Sequence, residues 1–316
     1  MNPPPIRLAM VGCGQIARHV HLPVLRHLPG VRVTVVADPD PVRRADAARL
    51  VPGATPVGRV EEAVAHDVDA VAVAVPTGQH AAAALTVLRA GKHLYLEKPL
   101  ATHPAEAEPV LAAWRRAGVV GMIGFNYRFN PLFVKLRRLI QSGRLGDIRE
   151  LRSRFTTPTR PLPAWKQTRA SGGGVLLDLG SHHFDLLPWL LGRPVEQITA
   201  EVRSVNTEAD TATVTWRFAG GIRAESFFSL AADRDEDSIE IGPLRVDRYR
   251  SGRVARWGGD LPGWYTWQRL RSVGHEPSYT RAWREFLAAI RATRPVSPDL
   301  ADGCRSLELA TRAAGG

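Results

Sequence analysis

The sequence predicts an α/β chain in two parts: a doubly wound parallel sheet, then an α+β domain with a largely antiparallel, open sheet. Three observations lead there. Over the first 125 residues, short runs rich in Val, Ile and Leu alternate with longer Ala-, Leu- and Arg-rich segments. Near-continuous apolar runs mean strands buried on both faces, as in a parallel sheet covered by helices. A Gly-x-Gly turn joins the first apolar run to the first helical segment, and after about residue 125 strand-like runs follow one another without helices between them. The expected domains are 1–125 and 126–316, with the closing helices available to pack back on the first.

In chain order, "IRLAMV" (6–11), "VRVTVVA" (31–37), "DAVAVAV" (69–75), "HLYLE" (93–97) and "VVGMIG" (119–124) are the expected strands of the first domain. The segments between them, from "QIARHVHLPVLRHL" to "PAEAEPVLAAWRRAG", have helical length and composition, with Gly91 and Gly118 as C-terminal stops. Beyond residue 125, "PLFVKLRRLIQSG" (131–143) and "GGGVLLDLGSHHFDLLPWLLG" (172–192) read as helices. "IRELRSRFTT", "QITAEVRSVN", "TATVTWRFAG", "IRAESFFSLA" and "DSIEIG" read as strands. Residues 279–294 and 300–314 read as closing helices, and 250–275, with Trp257, Trp264, Tyr265 and Trp267, as irregular chain.

Composition narrows the function classes. With 44% hydrophobic and 23% charged residues the chain is an ordinary globular one. The opening stretch has neither the roughly 20 apolar residues of a membrane span nor the pattern of a signal peptide, so a cytoplasmic location and no membrane partner are expected. Cys13 and Cys304 stand far apart and outside any CxxC pair, so neither a disulfide framework nor a metal site is expected. The net charge is +11, but the basic residues are scattered, with no run longer than two, and no nucleic-acid partner is expected. Of 42 Lys plus Arg residues only Lys92, Lys98, Lys135 and Lys166 are lysines. An ammonium has a tunable pKa and a guanidinium does not, so a lysine kept at 98, between Glu97 and Pro99, marks a candidate proton-handling group.

Two motifs carry chemistry. "GCGQIA" (Gly12, Gly14, Gln15, Ile16 and Ala17 around Cys13) fits the G-x-G-x-x-G/A turn that brings a dinucleotide's pyrophosphate against backbone and a helix N-terminus. Asp38 ends the second strand, where a carboxylate accepts the ribose hydroxyls and repels a 2′-phosphate, favouring NAD over NADP. Arg43 and Arg44 are nearby cations that could instead receive that phosphate. In "GGGVLLDLGSHHFD", Asp178 and His182 are four apart and would share a helix face, a histidine general base steadied by a carboxylate. His183 would point about 100° away.

Taken together, "GCGQIA", "AGKHLYLEKP", "NYRFNP" and "GGGVLLDLGSHHFD", in this order, resemble the glucose–fructose oxidoreductase, inositol dehydrogenase and rhizopine catabolism family, Gfo/Idh/MocA. The resemblance implies a Rossmann domain, a C-terminal domain whose open sheet builds a homodimer or homotetramer, and NAD(P)-linked oxidoreduction of a sugar or cyclitol. It makes Lys98 the catalytic lysine and Asp178 and His182 the Asp-x-x-x-His pair. Pro76, Thr77 and His80 of "PTGQH", Glu97 and Lys98 itself join the cofactor site, with Thr77 standing where family members carry Asn. Tyr127, Arg128, Trp165, Lys166 and "GWYTW" (263–267) are the substrate candidates. Two other functions use the same parts: a redox-neutral, NAD-using glycosidase or lyase, and a non-catalytic NAD-dependent sensor.

Overall fold

A computed structural model of the chain describes residues 3–242, 244–248 and 277–315. The substrate candidates "GWYTW" (263–267), with the rest of the stretch 250–275 read as irregular, lie outside the described residues. The chain divides into two compact units, Met1–Asn126 with Tyr279–Cys304, and Tyr127–Ser278 with Arg305–Gly316. The division thus falls one residue beyond the expected boundary, and Tyr279–Cys304 belongs to the first unit.

The first unit holds β1 (Ile6–Val11), β2 (Val31–Ala37), β3 (Thr55–Val57), β4 (Ala70–Val73), β5 (His93–Leu96) and β6 (Gly121–Ile123) in the order β3-β2-β1-β4-β5-β6. All neighbours pair in parallel. This is the doubly wound Rossmann order, which reverses between β1 and β4 and binds ligands beyond the carboxyl ends of the strands there. All four residues of β4 are buried, which accounts for its near-continuous apolar run. Helices α1 (Leu22–His27), α2 (Pro41–Leu50), α3 (Val60–Ala65), α4 (His80–Arg89) and α5 (Pro104–Ala117) form the crossovers. Asp40 caps α2 through the N–H groups of Val42 and Arg43, and Gly118, at φ 64°, ends α5. The first helical segment is not one α-helix: a π-turn, Ala17–His21, precedes α1, whose second residue is Pro23, which has no N–H to give.

The second unit holds α6 (Pro131–Gln141), β7 (Glu150–Pro158), α7 (Ser181–Leu191), β8 (Val195–Arg203), β9 (Thr211–Phe218), β10 (Ile222–Ala232), β11 (Glu236–Ile241) and β12 (Leu244–Asp247). The sheet order is β12-β11-β7-β10-β9-β8. It is largely antiparallel, with one parallel pair, β7 with β10. Alternation is clean along β9: Ala212, Val214, Trp216 and Phe218 are buried and Thr215 and Arg217 exposed. One face therefore joins Phe133, Phe184 and Leu187 of the helices in a single core. The opposite face carries Glu150, Arg152, Arg154, Arg217, Arg223 and Glu225. Two further helices, α8 (Pro277–Ala292) and α9 (Leu300–Ala313), complete the described residues. Among those residues no helix is long and apolar enough to cross a membrane.

Candidate functional site

The carboxyl ends of β1, β2 and β4 bring the dinucleotide motif together. Gly12 sits at φ 87°, and a Cβ there would come within 2.6 Å of the Ala74 carbonyl carbon and 2.8 Å of Val75 N. Glycine is thus required for β1 to turn this tightly against the strand end of β4. At Gly14 a Cβ would meet nothing within 4 Å. That combination, one glycine locked by neighbours and the next beside open space, is the cradle a pyrophosphate needs. Gln15 is exposed, Ile16 half-buried and Ala17 buried in the helical run that follows.

Asp38 is 5% exposed, and its two oxygens accept the N–H groups of Cys13 (2.8 Å) and Asp40 (2.9 Å). It lines a cleft of about 280 Å³ with Val11, Gly12, Ala37, Val75 and Ala83. Arg44 donates to the Asp38 carbonyl oxygen (2.6 Å) and Arg43 lies 3.3 Å from Asp40. The residues present fit a dinucleotide: a glycine cradle, a fixed acid and an apolar wall. Pro76 and Thr77 open a short 3₁₀ turn after β4, with Thr77 buried. His80 follows, its Nδ1 2.6 Å from the Pro99 carbonyl and its Nε2 2.9 Å from that of Val75. Burial pushes His80 below the ordinary histidine range, against the two carbonyls, which favour the charged ring. His80 thereby ties the segment just after Lys98 to the end of β4. Lys98 itself is half-buried beyond β5, and Glu97 beside it is buried.

In the second unit the triple glycine does more than start a helix. A Cβ on Gly173 would strike the backbone of Lys166 and Thr168, with the Lys166 carbonyl carbon at 2.6 Å. This close approach delivers Lys166, whose Nζ lies 2.8 Å from both oxygens of Asp178. Asp178 stands in a π-turn, Leu176–Gly180, that leads into α7, where a single α-helix was expected across both. π-turns inside helices are frequent at functional sites. His182, half-buried, stacks on the ring of Tyr127 with centroids 4.4 Å apart and planes 19° apart. Asp178, the residue expected to steady His182, also holds Lys166, and the His182 ring lies against Tyr127.

Tyr127 is 2% exposed and its hydroxyl donates to Asp237. Asp237 also faces His183 Nε2 (3.3 Å) and accepts from Arg248 Nε (2.6 Å). Burial would raise the Asp237 carboxyl, but the Arg248 charge and the bonds from His183 and Tyr127 hold it below the usual carboxylate range. His183 completes the row through Ser153 (3.0 Å), so its separation from the role given to His182 is visible in its packing. Arg128 Nε donates to Asp185 (2.9 Å), and the pair's side chains are 12% and 1% exposed. Trp165 is half-buried, with the Lys166 ammonium 5.3 Å from its ring centre. Sequence reasoning missed Asp237 and Arg248. Asp237 had a signal, because it shares the inward parity of Ile239 and Ile241 in β11.

A Rossmann cradle with a buried acid after β2 defines an NAD-binding oxidoreductase fold. Residues 6–125 match the "Oxidoreductase family, NAD-binding Rossmann fold" and residues 133–242 the "GFO/IDH/MocA C-terminal domain". The chain belongs to the Gfo/Idh/MocA family. It is 34% identical to a myo-inositol dehydrogenase, Hyg17, of Streptomyces leeuwenhoekii over 90% of this chain and 85% of that protein. It is also 34% identical to a dTDP-3,4-didehydro-2,6-dideoxy-alpha-D-glucose 3-reductase of Actinomadura kijaniata, over 64% of this chain and 61% of that protein. The chain thus aligns with somewhat under two thirds of the latter's length. A crystal structure of the WlbA dehydrogenase from Chromobacterium violaceum, in complex with NADH and UDP-GlcNAcA, superposes with a TM-score of 0.85. It is 27% identical, over 99% of this chain and 94% of that one.

Proposed function

We propose that this chain is an NAD-dependent dehydrogenase or reductase acting on a secondary alcohol or ketone of a sugar, cyclitol or sugar derivative. The observation that carries the reading is the cradle at Gly14 beside the buried carboxylate of Asp38. NAD is favoured over NADP because Asp38 would repel a 2′-phosphate, while Arg44 is bonded to the Asp38 backbone and Arg43 is close to Asp40.

Hydride acceptance or donation is the chemistry a bound nicotinamide supplies. Lys98 donates a hydrogen bond to the substrate oxygen and, through its charge, favours the alkoxide that forms there. His182 takes the hydroxyl proton during oxidation and returns it during reduction. Its ring is oriented by the stack on Tyr127. Asp178 steadies this end of the site through Lys166, whose ammonium and the neighbouring Trp165 face suit a hydroxylated ring. Tyr127 and Arg128, the substrate candidates, also hold His182 and Asp185 in place. A cytoplasmic homodimer or homotetramer belongs to the same proposal, with the open sheet of the second unit as the surface that would join the copies and sedimentation as the test of the oligomeric state.

The test compares wild type with Lys98→Ala and His182→Ala. Catalytic roles predict turnover reduced by about 100-fold or more, as for loss of a general acid or base, with NADH affinity kept. Equal loss of NADH binding would instead make either residue a cofactor ligand.

A further inference from the structure

Glu97 is a buried carboxylate that the proposed chemistry does not use, and it is held from an unexpected direction. Its side chain is 10% exposed, and Oε1 lies 2.9 Å from Nε2 of His21, whose side chain is 1% exposed. On the other side of the imidazole, Trp283 of α8 donates its indole N–H to His21 Nδ1 at 3.1 Å. An indole nitrogen donates and never accepts. Nδ1 must therefore carry a lone pair, which places the single imidazole proton on Nε2, pointing at Glu97. A second proton on His21 would set N–H against N–H.

The surroundings fix this arrangement. The His21 ring is met edge-on by Tyr95, Tyr279 and Trp283, with centroids 5.6 to 5.7 Å away. Trp283 is fully buried and stacks on Tyr95 at 4.3 Å. A Cβ at Gly124 would reach 2.9 Å from Glu97 Oε1, so the absence of a side chain there makes room for the carboxylate. The ionisable groups around Glu97 are His21, Lys98 and His80, with the Tyr95 hydroxyl pushed upward first by burial and then by the Glu97 charge. Burial alone would raise the Glu97 carboxyl; the His21 hydrogen bond, with the charge of Lys98, brings it below its ordinary value.

We propose that Trp283 and His21 are positioning residues that fix Glu97 as a buried anion beside Lys98 and so keep the lysine charged for its hydrogen bond to the substrate. The inference rests on the reading of Lys98 as the catalytic lysine. It explains why the lysine is flanked by a carboxylate that solvent does not reach. Electrostatic coupling is mutual, so an anion favoured by Lys98 favours the ammonium in return. It also gives a purpose to the placement of Tyr279–Cys304 in the first unit: α8 brings the indole that sets the tautomer.

With only four lysines in the chain, Lys98 is resolvable by NMR of ε-¹³C-lysine protein saturated with NAD, assigned by its loss in Lys98→Arg. Histidine ¹⁵N spectra of the same protein read the His21 tautomer. The expected result in wild type at pH 7 is a protonated Nε2 and a bare Nδ1 on His21. In Trp283→Phe, which keeps the ring stack, His21 should gain its second proton and the Lys98 titration should move down. Glu97→Gln should lower the Lys98 midpoint by about one pH unit. Wild-type His21 with its proton on Nδ1, or a Lys98 titration unmoved in both variants, overturns the proposal. Trp283→Phe alone decides it where Glu97→Gln does not fold. Full turnover by Lys98→Met alongside the expected spectra would remove the catalytic reading of Lys98 and leave the electrostatic device standing.

Discussion

Gly12 and Gly14 are two residues apart in one turn, yet the structure predicts opposite consequences for replacing them with alanine. At Gly12 the new Cβ meets the Ala74 and Val75 backbone at 2.6 and 2.8 Å, and the residue must hold φ 87°. Left-handed backbone costs a non-glycine residue about 1–2 kcal/mol. The contact adds to this because backbone, unlike a flexible side chain, cannot swing away. A total of about 2–4 kcal/mol is expected, in the range of strain at special dihedrals plus overpacking. At Gly14 the Cβ meets nothing, and a surface-type change of within about 0.5 kcal/mol is expected. The same methyl fills the place where the pyrophosphate would approach the backbone, so NADH affinity should fall by at least about tenfold, roughly 1.4 kcal/mol. Thermal melting without cofactor and fluorescence titration with NADH separate the two effects. A Gly14→Ala protein that binds NADH as wild type does would refute the cradle. A Gly12→Ala protein that melts with wild type would refute the steric account of the turn.

Arg128→Ala leaves the Asp185 carboxylate buried without its guanidinium, and urea unfolding should show a loss of about 3–5 kcal/mol; an unchanged midpoint would return Arg128 to the substrate candidates. Burial, reinforced by the Asp38 charge, pushes the Cys13 thiol up to about 12, so thiol reagents at pH 8 should leave it unmodified until the protein unfolds. Asp237 is held below the usual carboxylate range, so its contribution to stability is complete above about pH 4, the unfolded value. That contribution is lost as pH falls through the lower folded value. In chemical-denaturation curves at a series of pH values, Asp237→Asn should be less stable at neutral pH and lose less on acidification; parallel curves would contradict the assignment.

The parts legible in the sequence were those governed by local pattern. Buried runs such as β4 and the alternation of β9 reported their own burial, and the glycine turn could be placed because strand, turn and helix signals adjoin. β3 was missed because it is three residues long with Pro56 at its centre, and β12 because its four residues carry too little periodicity. The two π-turns escaped because helical composition does not say where the hydrogen-bond ladder widens. For the site, candidate residues at 98, 178 and 182 could be named, but the contacts made by distant parts of the chain could not. Lys166 reaches Asp178 only because Gly173 admits its loop, and Trp283 reaches His21 across 262 positions of chain. An amphipathic helix such as α8 announces a buried face without naming what it is buried against.

The central claim is tested most directly by the absorbance of the reduced nicotinamide while inositols, UDP-linked and dTDP-linked sugars and their keto forms are offered with NAD or NADH, and then with the NADP pair. The account predicts a substrate-dependent signal that favours the NAD pair and disappears in His182→Ala while NADH still binds. A chain that binds NADH tightly yet gives no signal with any of these substrates, or keeps its full rate without His182, would contradict it.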